Sequence, residues 1–418
     1  MKLKILICLF VIVSGMAYGT TRYVGGDISL LPEYENAGAI YKDSNGQPIG
    51  ELLPYLRQEG MNAMRVRLFV DPEEFDGNDP NACQSLPYIL PLCKRIISSG
   101  YDLMLDFHYS DTWADPGAQW IPKAWEDLDD AALIEKIYEY THNTLLTLKA
   151  EGITPTWIQT GNEISYGMLW SPYGAPESEQ KKTFMGSDAN WQRLGELLRS
   201  AGKACREVCP QAKIVIHTER AAQVDVLNNF YTRMATLGVD YDIIGLSYYP
   251  YFHGNMQVLE RALTSLEKAF PEKDIMIVET GFPYKWEVPG TSEKVDYEYS
   301  EAGQDAFAHD LVDTLLRHES VIGLFWWWLE YNAYGTNLSN WYNAPLFDSL
   351  TGMATPALKT ICSFGNSSGA IDRITTDHPD KESIYDLQGH KLSKGNQRGI
   401  IIVNGRKLLN STTLDPSR

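Results

Sequence analysis

The stretches Thr160-Gly161-Asn162-Glu163 and Val278-Glu279-Thr280-Gly281 each place a glutamate at the end of a short apolar, β-rich segment. Such segments recur along the chain and alternate with stretches of helix length. This alternation predicts parallel strands joined by right-handed helical crossovers. The predicted strands are Tyr23–Leu31, Ala63–Val70, Asp102–Tyr109, Thr156–Glu163, Lys213–Glu219, Asp242–Tyr249, Ile275–Thr280 and Gly323–Trp328. Eight β/α units predict a (β/α)8 TIM barrel in the α/β class.

The stretches between these strands are long enough for helical crossovers. They include Leu86–Ile97, Asp129–Lys149, Asn190–Val208, Gln257–Phe270 and Glu301–Arg317. A chain of 418 residues accommodates one barrel with an appendage, and 44% hydrophobic against 22% charged residues excludes collagen-like, coiled-coil and mostly disordered proteins. The formal net charge of −18 repels phosphate groups, so we expect no nucleic-acid partner and no binding to anionic membranes.

Residues 1–19 are typical of a secretory signal peptide. Lys2 and Lys4 flank the start of an apolar run over residues 5–13, and Ala17-Tyr18-Gly19 provides a cleavage site. The run is too short to span a bilayer and no second apolar span follows, so we predict no transmembrane segment. The sequence therefore predicts export, with secretion, the cell surface and the periplasm left open.

Export permits disulfide bonds among the cysteines that remain after the signal peptide. Cys83 with Cys93, and Cys205 with Cys209, are spaced for local pairing, whereas Cys362 has no such neighbour. Buried free thiols are the alternative, because a core of this size does not need covalent links. The spacing leaves both interpretations open.

The character of the sequence changes after Ile361, where a small polar linker precedes short β-rich segments. We therefore predict a barrel domain over residues 20–364 and a linker with a small C-terminal β module over residues 365–418. The module has predicted strands at 384–387, 399–403 and 407–409 around glycine-containing turns. At about fifty residues it is marginal as an independent fold.

Two carboxylates are predicted at one rim of the barrel, where the chemistry of TIM barrels resides. Glu163 ends the fourth predicted strand and Glu279 lies near the end of the seventh. Either glutamate alone could be a solvated rim residue or a helix cap. A pair of carboxylates facing one cleft is what glycoside hydrolysis requires, one to protonate the leaving oxygen and one to attack or to activate water. Together, and with Asn162 before one of them, they favour a glycosidase site.

Other strand ends carry groups that suit a sugar site. Arg65 and Arg67 share one face of strand two by alternation, and such an arginine can hold a carboxylate ionised. Strand five offers His217 and Glu219, and at least one tryptophan of 326–328 should face the cleft, since alternation forbids all three from doing so. The run 106–116 after strand three is dense in hydrogen-bonding and stacking groups, among them His108, Asp111, Trp113 and Asp115.

These motifs resemble glycoside hydrolase family 53, the endo-β-1,4-galactanases, over about Gly25 to Ala354. The resemblance lies in Gly26-Asp27-Ile28-Ser29, Arg65-Val66-Arg67, the run 106–116, Thr160-Gly161-Asn162-Glu163, Gly245-Leu246-Ser247-Tyr248-Tyr249-Pro250 and Val278-Glu279-Thr280-Gly281. The tail is similar to the C-terminal sorting-like module of exported Bacteroidetes proteins, through Tyr385-Asp386-Leu387-Gln388-Gly389 and the stretch 399–405. That second resemblance implies handling during export rather than chemistry.

The family resemblance implies a retaining hydrolase of β-1,4-galactan or pectic arabinogalactan, which we expect to act as a monomer. It implies Glu163 as general acid/base and Glu279 as nucleophile. Among supporting residues, it implies that Asn162 bonds the sugar 2-hydroxyl, that Arg65 and Tyr249 steady Glu279, and that His108 and Trp327 line the cleft.

Two features of the sequence lie outside the family pattern. The family follows its strand-eight tryptophan with glutamate and proline, whereas this chain has Trp328 and Leu329, with Glu330 next. Either Trp328 or Glu330 could take over the lost contact. Some members of the family also bind calcium after strand seven. The acidic residues here have no defensible oxygen-ligand spacing, so we predict no metal and no cofactor; they are Glu287, Glu293, Asp296 and Glu298.

Two other functions fit part of the same pattern. Another retaining β-1,4-glycanase, such as an endo-mannanase, would use the same carboxylates, because the residues alone do not specify galactan. A non-catalytic glycan-binding protein would keep the aromatic residues but could dispense with a glutamate. The presence of both Glu163 and Glu279 counts against the binding protein.

Overall fold

The computed structural model describes residues 21–366, except 76, 78, 185–187, 289–290, 292–294, 337 and 339–343, together with five strands between residues 372 and 410. The predicted signal peptide, residues 1–19, lies outside the described residues. Within the described parts of the chain, none of the helices combines the length and the apolar character needed to cross a membrane.

Eight parallel strands close into a barrel in their sequence order, as predicted. Each strand pairs with the next, and β1 pairs with β8 to close the sheet. The strands are β1 Tyr23–Asp27, β2 Ala63–Leu68, β3 Asp102–Phe107, β4 Trp157–Thr160, β5 Lys213–Thr218, β6 Ile243–Tyr248, β7 Asp274–Thr280 and β8 Val321–Trp326. The (β/α)8 TIM barrel is thereby confirmed.

Most strands end earlier than predicted. β4 ends at Thr160, after which Gly161 (φ 98°) and Glu163 (φ 49°) take left-handed backbone conformations. A strand cannot continue through such angles, and the chain turns into a short 3₁₀ helix, Ile164–Tyr166. The polar residues therefore stand beyond the ladder, at the barrel mouth, rather than within the sheet.

Helices surround the barrel and bury their apolar faces against the strands. α4 begins after Asp129, whose carboxylate accepts the backbone N–H of Ala132, and α9 begins after Ser300, which caps Gly303 N–H in the same way. The helices are α1 Leu31–Asn36, α2 Leu52–Glu59, α3 Leu86–Ser98, α4 Asp130–Ala150, α5 Ala189–Val208, α6 Val224–Thr236, α7 Pro250–His253, α8 Met256–Ala269, α9 Glu301–Leu316 and α10 Pro356–Asn366.

The barrel interior changes from apolar to polar along the strands. Its lower part is filled by a cluster that includes Ala63, Met104, Trp157 and Val215. Two residues further along the same strands, alternation places four polar side chains on the same inward face. They are Arg65, Asp106, Gln159 and His217, all fully buried. The apolar layer closes one end of the barrel, and the polar layer supports the other.

The cysteines of the barrel are free thiols, which decides between the two interpretations left open by their spacing. Cys93, Cys205, Cys209 and Cys362 are buried, and Cys83 is half-buried. Burial in an apolar environment raises the pKa of the Cys93 thiol to about 12, so this group remains protonated and packs as a small apolar side chain. These residues serve the core rather than forming covalent links.

The barrel unit spans Thr21–Asn366, and the five C-terminal strands belong to a second compact unit. α10 continues past Phe364, the predicted domain boundary, and buries that ring. The second unit contains β9 Asp372–Arg373, β10 Ile384–Tyr385, β11 Lys391–Leu392, β12 Gly399–Val403 and β13 Arg406–Asn410, in the spatial order β11-β10-β12-β13-β9. Its sorting-like role stays a prediction.

Candidate active site

A cavity of about 640 Å³ opens at the carboxyl ends of the barrel strands. This volume is typical of small-molecule and sugar sites. The structure brings many of the sequence-predicted residues together around it. Those that line the cavity are Trp113, Asp115, Asn162, Glu163, Tyr249, Glu279 and Trp327.

Arg65 lies under the cavity at the centre of a buried charge cluster. Its Nη2 is 2.9 Å from Oε1 of Glu279 and 2.7 Å from Oδ2 of Asp106. Its Nη1 is 3.5 Å from Oδ2 of Asp27, whose Oδ1 is 2.6 Å from Nη1 of Arg67. Both arginines are fully buried, so they act on the cavity from below rather than lining it.

Glu279 is held from two sides, by Arg65 and by Tyr249. The Tyr249 hydroxyl donates to Oε2 of Glu279 at 3.3 Å. Burial nevertheless raises the pKa of Glu279 to about 7, because Arg65 is shared with Asp106 and Asp27 and compensates the buried carboxylate only in part. Arg65 and Tyr249, which the resemblance implies steady Glu279, both contact its carboxylate, but these contacts do not cancel the effect of burial on its pKa.

Glu163 is the more weakly acidic of the two glutamates. Its pKa is raised well above the ordinary value, first by burial and then by the charges of Glu279 and Glu219. Unlike Glu279, it has no arginine partner among the described residues; the Ser247 hydroxyl donates to its Oε1 at 2.6 Å. Near neutral pH, Glu163 therefore retains its proton more readily than Glu279 does.

Asn162 is locked in one orientation at the cavity wall. Its Oδ1 accepts from Nη2 of Arg65 at 2.8 Å, and its Nδ2 donates to the carbonyl of Ala114 at 2.8 Å. Because the guanidinium can only donate, the amide oxygen is assigned without ambiguity. The carbonyl of Asn162 also accepts from Gln119, which secures the backbone before Glu163.

Two adjacent tryptophans, Trp327 and Trp328, both line the cavity. Strand alternation does not apply to them, because β8 ends at Trp326 and Trp328 takes a left-handed conformation (φ 57°). Trp326 is buried and donates to the carbonyl of Ala344. Glu330 is also buried, with Oε1 accepting from the N–H of Leu30. Of Trp328 and Glu330, Trp328 lines the cavity and Glu330 does not.

The structure corrects the expectation that His108 lines the cleft. His108 is buried outside the cavity lining: its Nδ1 accepts from the N–H of Ala114 at 3.0 Å, and its Nε2 lies 3.1 Å from Oδ2 of Asp106. Both ring nitrogens are thus occupied by the protein, and the ring supports the strand-three segment that carries Trp113 and Asp115.

Asp111 also lies away from the main cavity. Its carboxylate accepts the backbone N–H groups of Asp71 at 3.0 Å and Lys123 at 2.7 Å. It borders a separate, smaller cavity of about 150 Å³. Of the run 106–116, only the part from Trp113 to Pro116 reaches the main cavity, because Asp111 is engaged in anchoring the loop.

Glu219, which the sequence placed at the end of strand five, lines the cavity together with Arg220 and Gln223, which the sequence did not indicate. Glu219 pairs with Arg220 (Oε1 to Nε 2.8 Å) and with Ser165 beside it. The position of Glu219 at the end of predicted strand five indicated a place at the barrel mouth, but every other strand-end residue shares that indication. Glu219 is the third glutamate of the cavity, and burial raises its pKa.

The described residues contain no cluster of three histidine, cysteine, aspartate or glutamate side chains positioned to hold a metal ion. Of the acidic residues after strand seven, Glu287, Asp296 and Glu298 are described, whereas Glu293 lies outside the described residues.

Comparisons with known proteins show the family of the chain. The family model described as glycosyl hydrolase family 53 matches residues 23–361. An arabinogalactan endo-beta-1,4-galactanase of Thermothelomyces thermophilus is 33% identical over 319 residues, covering 73% of this chain and 88% of that protein. The GH53 catalytic domain of Ignisphaera aggregans superimposes with a TM-score of 0.71 at 31% identity, over 84% of this chain and 97% of that one. A fungal beta-1,4-galactanase structure superimposes with a TM-score of 0.68 at 28% identity, over 82% of this chain and 99% of that one.

Proposed function

The chain belongs to glycosyl hydrolase family 53, and on that premise we propose that it hydrolyses internal β-1,4-galactosidic linkages of galactan or arabinogalactan with retention of configuration. The main support for the proposal is that two glutamates in one cavity have different surroundings. Glu279 contacts a buried arginine, whereas Glu163 contacts none among the residues that the structure describes. Such a pair supplies one ionised and one protonated carboxyl group at the same pH.

The proposed reaction proceeds by double displacement. Oxygen of ionised Glu279 forms a bond to the anomeric carbon while the bond from that carbon to the leaving oxygen breaks, and the proton of Glu163 passes to that oxygen. Water then attacks the anomeric carbon of the glycosyl-enzyme. Glu163, now ionised, accepts a proton from the water, and Glu279 leaves as a carboxylate. Both groups return to their starting states.

The lining of the cavity suits a polysaccharide. Trp113, Trp327 and Trp328 offer apolar ring surfaces, and Asp115 and Glu219 offer acceptors for hydroxyl groups. The proposal includes export through the predicted signal peptide, since an intact polysaccharide does not enter the cell.

A reducing-end assay on four polymers tests the proposed function. We expect the purified mature protein to release reducing ends from β-1,4-galactan and not from galactomannan, β-glucan or xylan, and Glu163→Gln to abolish the activity. Activity on galactomannan alone would keep the mechanism and replace the substrate. Binding to a glycan without hydrolysis of any polymer would instead support the non-catalytic alternative.

The pH dependence of kcat/KM should report both glutamates of the free enzyme. Activity requires Glu279 ionised, so it falls as pH decreases through the pKa of Glu279, well above the ordinary range of a glutamate. Activity also requires Glu163 protonated, so it falls again as pH rises through the higher pKa of Glu163.

Tyr249→Phe should move the acidic limb of this profile to higher pH. The hydroxyl donates to ionised Glu279 and lowers its pKa, so its loss raises that pKa, by roughly 0.5 to 1 unit for one hydrogen bond to a charged group. Tyr248→Phe is the matched control, because its hydroxyl donates to the carbonyl of Gly254 instead. Equal profiles for the two variants would contradict the role given to Tyr249.

A further inference from the structure

Two buried residues that do not line the cavity connect to Glu163 from inside the barrel. Oγ of Ser247, on β6, lies 2.6 Å from Oε1 of Glu163 and 2.8 Å from Nε2 of His217, on β5. Both side chains are fully buried, and neither is part of the cavity lining. β5 and β6 are paired neighbours, with His217 opposite Gly245, so the two side chains are held on rigid elements.

The surroundings of Nδ1 of His217 indicate which ring nitrogen carries the proton. The backbone N–H of Glu163 donates to Nδ1 at 3.4 Å, and Nε2 of Gln159 lies 3.1 Å away. Gln159 has its amide nitrogen on this side because its Oε1 accepts from Arg65. Burial, followed by the positive charge of Arg65, lowers the pKa of His217 well below its ordinary value, so the ring is neutral and carries one proton.

The amide nitrogen of Gln159 also contacts Oδ1 of Asp106 at 2.6 Å and the carbonyl of Gly161 at 3.1 Å. The backbone N–H of Glu163, which can only donate, is therefore the donor that assigns the proton of the neutral ring to Nε2. Nε2–H then donates to Oγ of Ser247, and the Ser247 hydroxyl donates to Oε1 of Glu163. The other oxygen of Glu163, Oε2, has no hydrogen-bond partner among the described residues and is not one of their fully buried atoms. The two oxygens of the proposed acid therefore have different surroundings.

The opposite tautomer has a different consequence. Nδ1 also lies 2.9 Å from Oδ1 of Asn162, to which an Nδ1–H could donate. The Ser247 hydroxyl would then donate to Nε2, leaving Oγ and Oε1 in contact at 2.6 Å with no proton between them unless Glu163 carried its own proton on Oε1. That proton would be directed at Ser247, away from the leaving oxygen.

We propose that His217 and Ser247 are positioning residues for Glu163, which keep Oε1 as a hydrogen-bond acceptor so that the proton given to the leaving oxygen is carried on Oε2. This inference rests on the proposed function, because it specifies how Glu163 would act as the acid. His217 and Ser247 touch neither substrate nor reacting atoms. They act through the carboxyl group, which they orient and whose ionised form they stabilise.

Ser247→Ala should raise the pKa of Glu163 and move the alkaline limb of kcat/KM to higher pH by at least ~0.5 unit. The other titratable or charged groups around Glu163 are unchanged in this variant, so the shift reports the lost hydrogen bond; they are Glu279, Glu219, Arg220, Asp115, Tyr249 and His217. We also expect kcat on galactan to fall about tenfold.

The leaving group provides a readout that a merely structural defect would not produce. A dinitrophenyl glycoside of a galacto-oligosaccharide has a leaving group that needs no proton, so its pre-steady-state release should be within about twofold of wild type in Ser247→Ala. A general structural defect would slow both substrates alike. Ser200→Ala is the control, because the Ser200 hydroxyl donates to the carbonyl of Ile134 and not to Glu163; it should leave both rates and the pH profile unchanged.

A pair of histidine variants keeps the test decisive if Ser247→Ala does not fold. The amide nitrogen of glutamine can occupy the place of Nε2, whereas that of asparagine reaches only the place of Nδ1. His217→Gln should therefore retain the alkaline limb of wild type, and His217→Asn should shift it as Ser247→Ala does. An unshifted alkaline limb in folded Ser247→Ala, or a shift in His217→Gln equal to that in His217→Asn, would overturn the proposal.

The tautomer can be measured without activity, which separates this inference from the proposed function. Nitrogen chemical shifts of 15N-histidine-labelled enzyme, assigned with His217→Gln, should show His217 protonated on Nε2 at neutral pH. An Nδ1–H signal would overturn the inference even in an active galactanase. Inactivity on every polymer would defeat the proposed function and leave the measured tautomer to decide the arrangement around Glu163.

Discussion

Glu279→Ala is expected to lower kcat on galactan by at least ~10⁴-fold, and added azide should restore turnover with formation of an α-galactosyl azide. The variant removes the carboxylate that contacts Arg65 and Tyr249 and opens space beneath the anomeric carbon. Azide can enter that space and displace the leaving group once, which inverts the configuration. Separation of products by chromatography, with NMR of the anomeric proton, measures both the rescue and its stereochemistry.

Glu163→Ala should give the complementary result. With an aryl glycoside as substrate, Glu279 still forms the glycosyl-enzyme, and azide then attacks it from the open face to give a β-galactosyl azide. Glu219→Ala is the matched control, since Glu219 is the third glutamate of the cavity and has its own partner in Arg220. It should form no azide adduct. Formation of a β-galactosyl azide by Glu279→Ala, or of an α-galactosyl azide by Glu163→Ala, would contradict the roles assigned to the two glutamates.

Arg65→Ala is expected to destabilise the barrel by about 3–5 kcal/mol, the usual cost of removing one partner from a buried ion pair. The guanidinium contacts Asp27, Asp106 and Glu279 with no exposure to solvent. Its removal leaves these carboxylates buried without their shared positive charge. Urea unfolding followed by tryptophan fluorescence would measure the change in the free energy of unfolding.

Arg95→Ala is the control for this change, because Arg95 pairs with Glu35 through two short contacts on the half-exposed surface. Its loss should cost no more than about 1 kcal/mol, as is usual for solvent-accessible pairs. Comparable costs for the two variants would show that the buried cluster does not stabilise the barrel.

The difference between wild type and Arg65→Ala should narrow as pH falls. Burial alone would raise the pKa of Asp106, but the charges of Arg65 and His108 hold it below the ordinary value. A carboxyl group with a lowered folded-state pKa contributes stability above its unfolded pKa and loses it as pH falls through its folded pKa. At neutral pH the Arg65→Ala variant lacks the part of this stability that Arg65 provides. Its free energy of unfolding should therefore decrease less than that of wild type on acidification. The lowered pKa of Asp106 lies below its ordinary value of 3.8, so unfolding at pH 7 and at a pH below that value measures the trend.

Some features of the site followed directly from the sequence. Alternation along strand two placed Arg65 and Arg67 on one inward face, and in the structure both side chains are buried and contact Asp27. This inference was possible because a period of two requires no knowledge of neighbouring strands. The positions of Glu163 and Glu279 at strand ends could also be predicted from the sequence. Closure of a barrel brings the carboxyl ends of all its strands to one mouth.

Other features depended on contacts that sequence patterns do not encode. His108 and Asp111 belong to the same polar run as Trp113, yet their ring nitrogens and carboxylate bind neighbouring segments instead of lining the cavity. Trp328 faces the cavity because its backbone leaves the strand in a left-handed conformation. No periodic pattern in the sequence predicts these side-chain positions, because each depends on where a loop contacts another part of the chain.

The sequence by itself determined the eight strands, their order, the rim that carries the carboxylates and the class of reaction that two such groups can perform. These properties depend on residue spacing, which is local and repeats along the chain. Only the tertiary structure decided that Arg65 would be shared among three carboxylates, that Glu163 would lack such a partner, and that Ser247 would bond to one oxygen of Glu163. The balance of burial and charge at each glutamate is set by side chains from different strands, and that balance exists only after the barrel has closed.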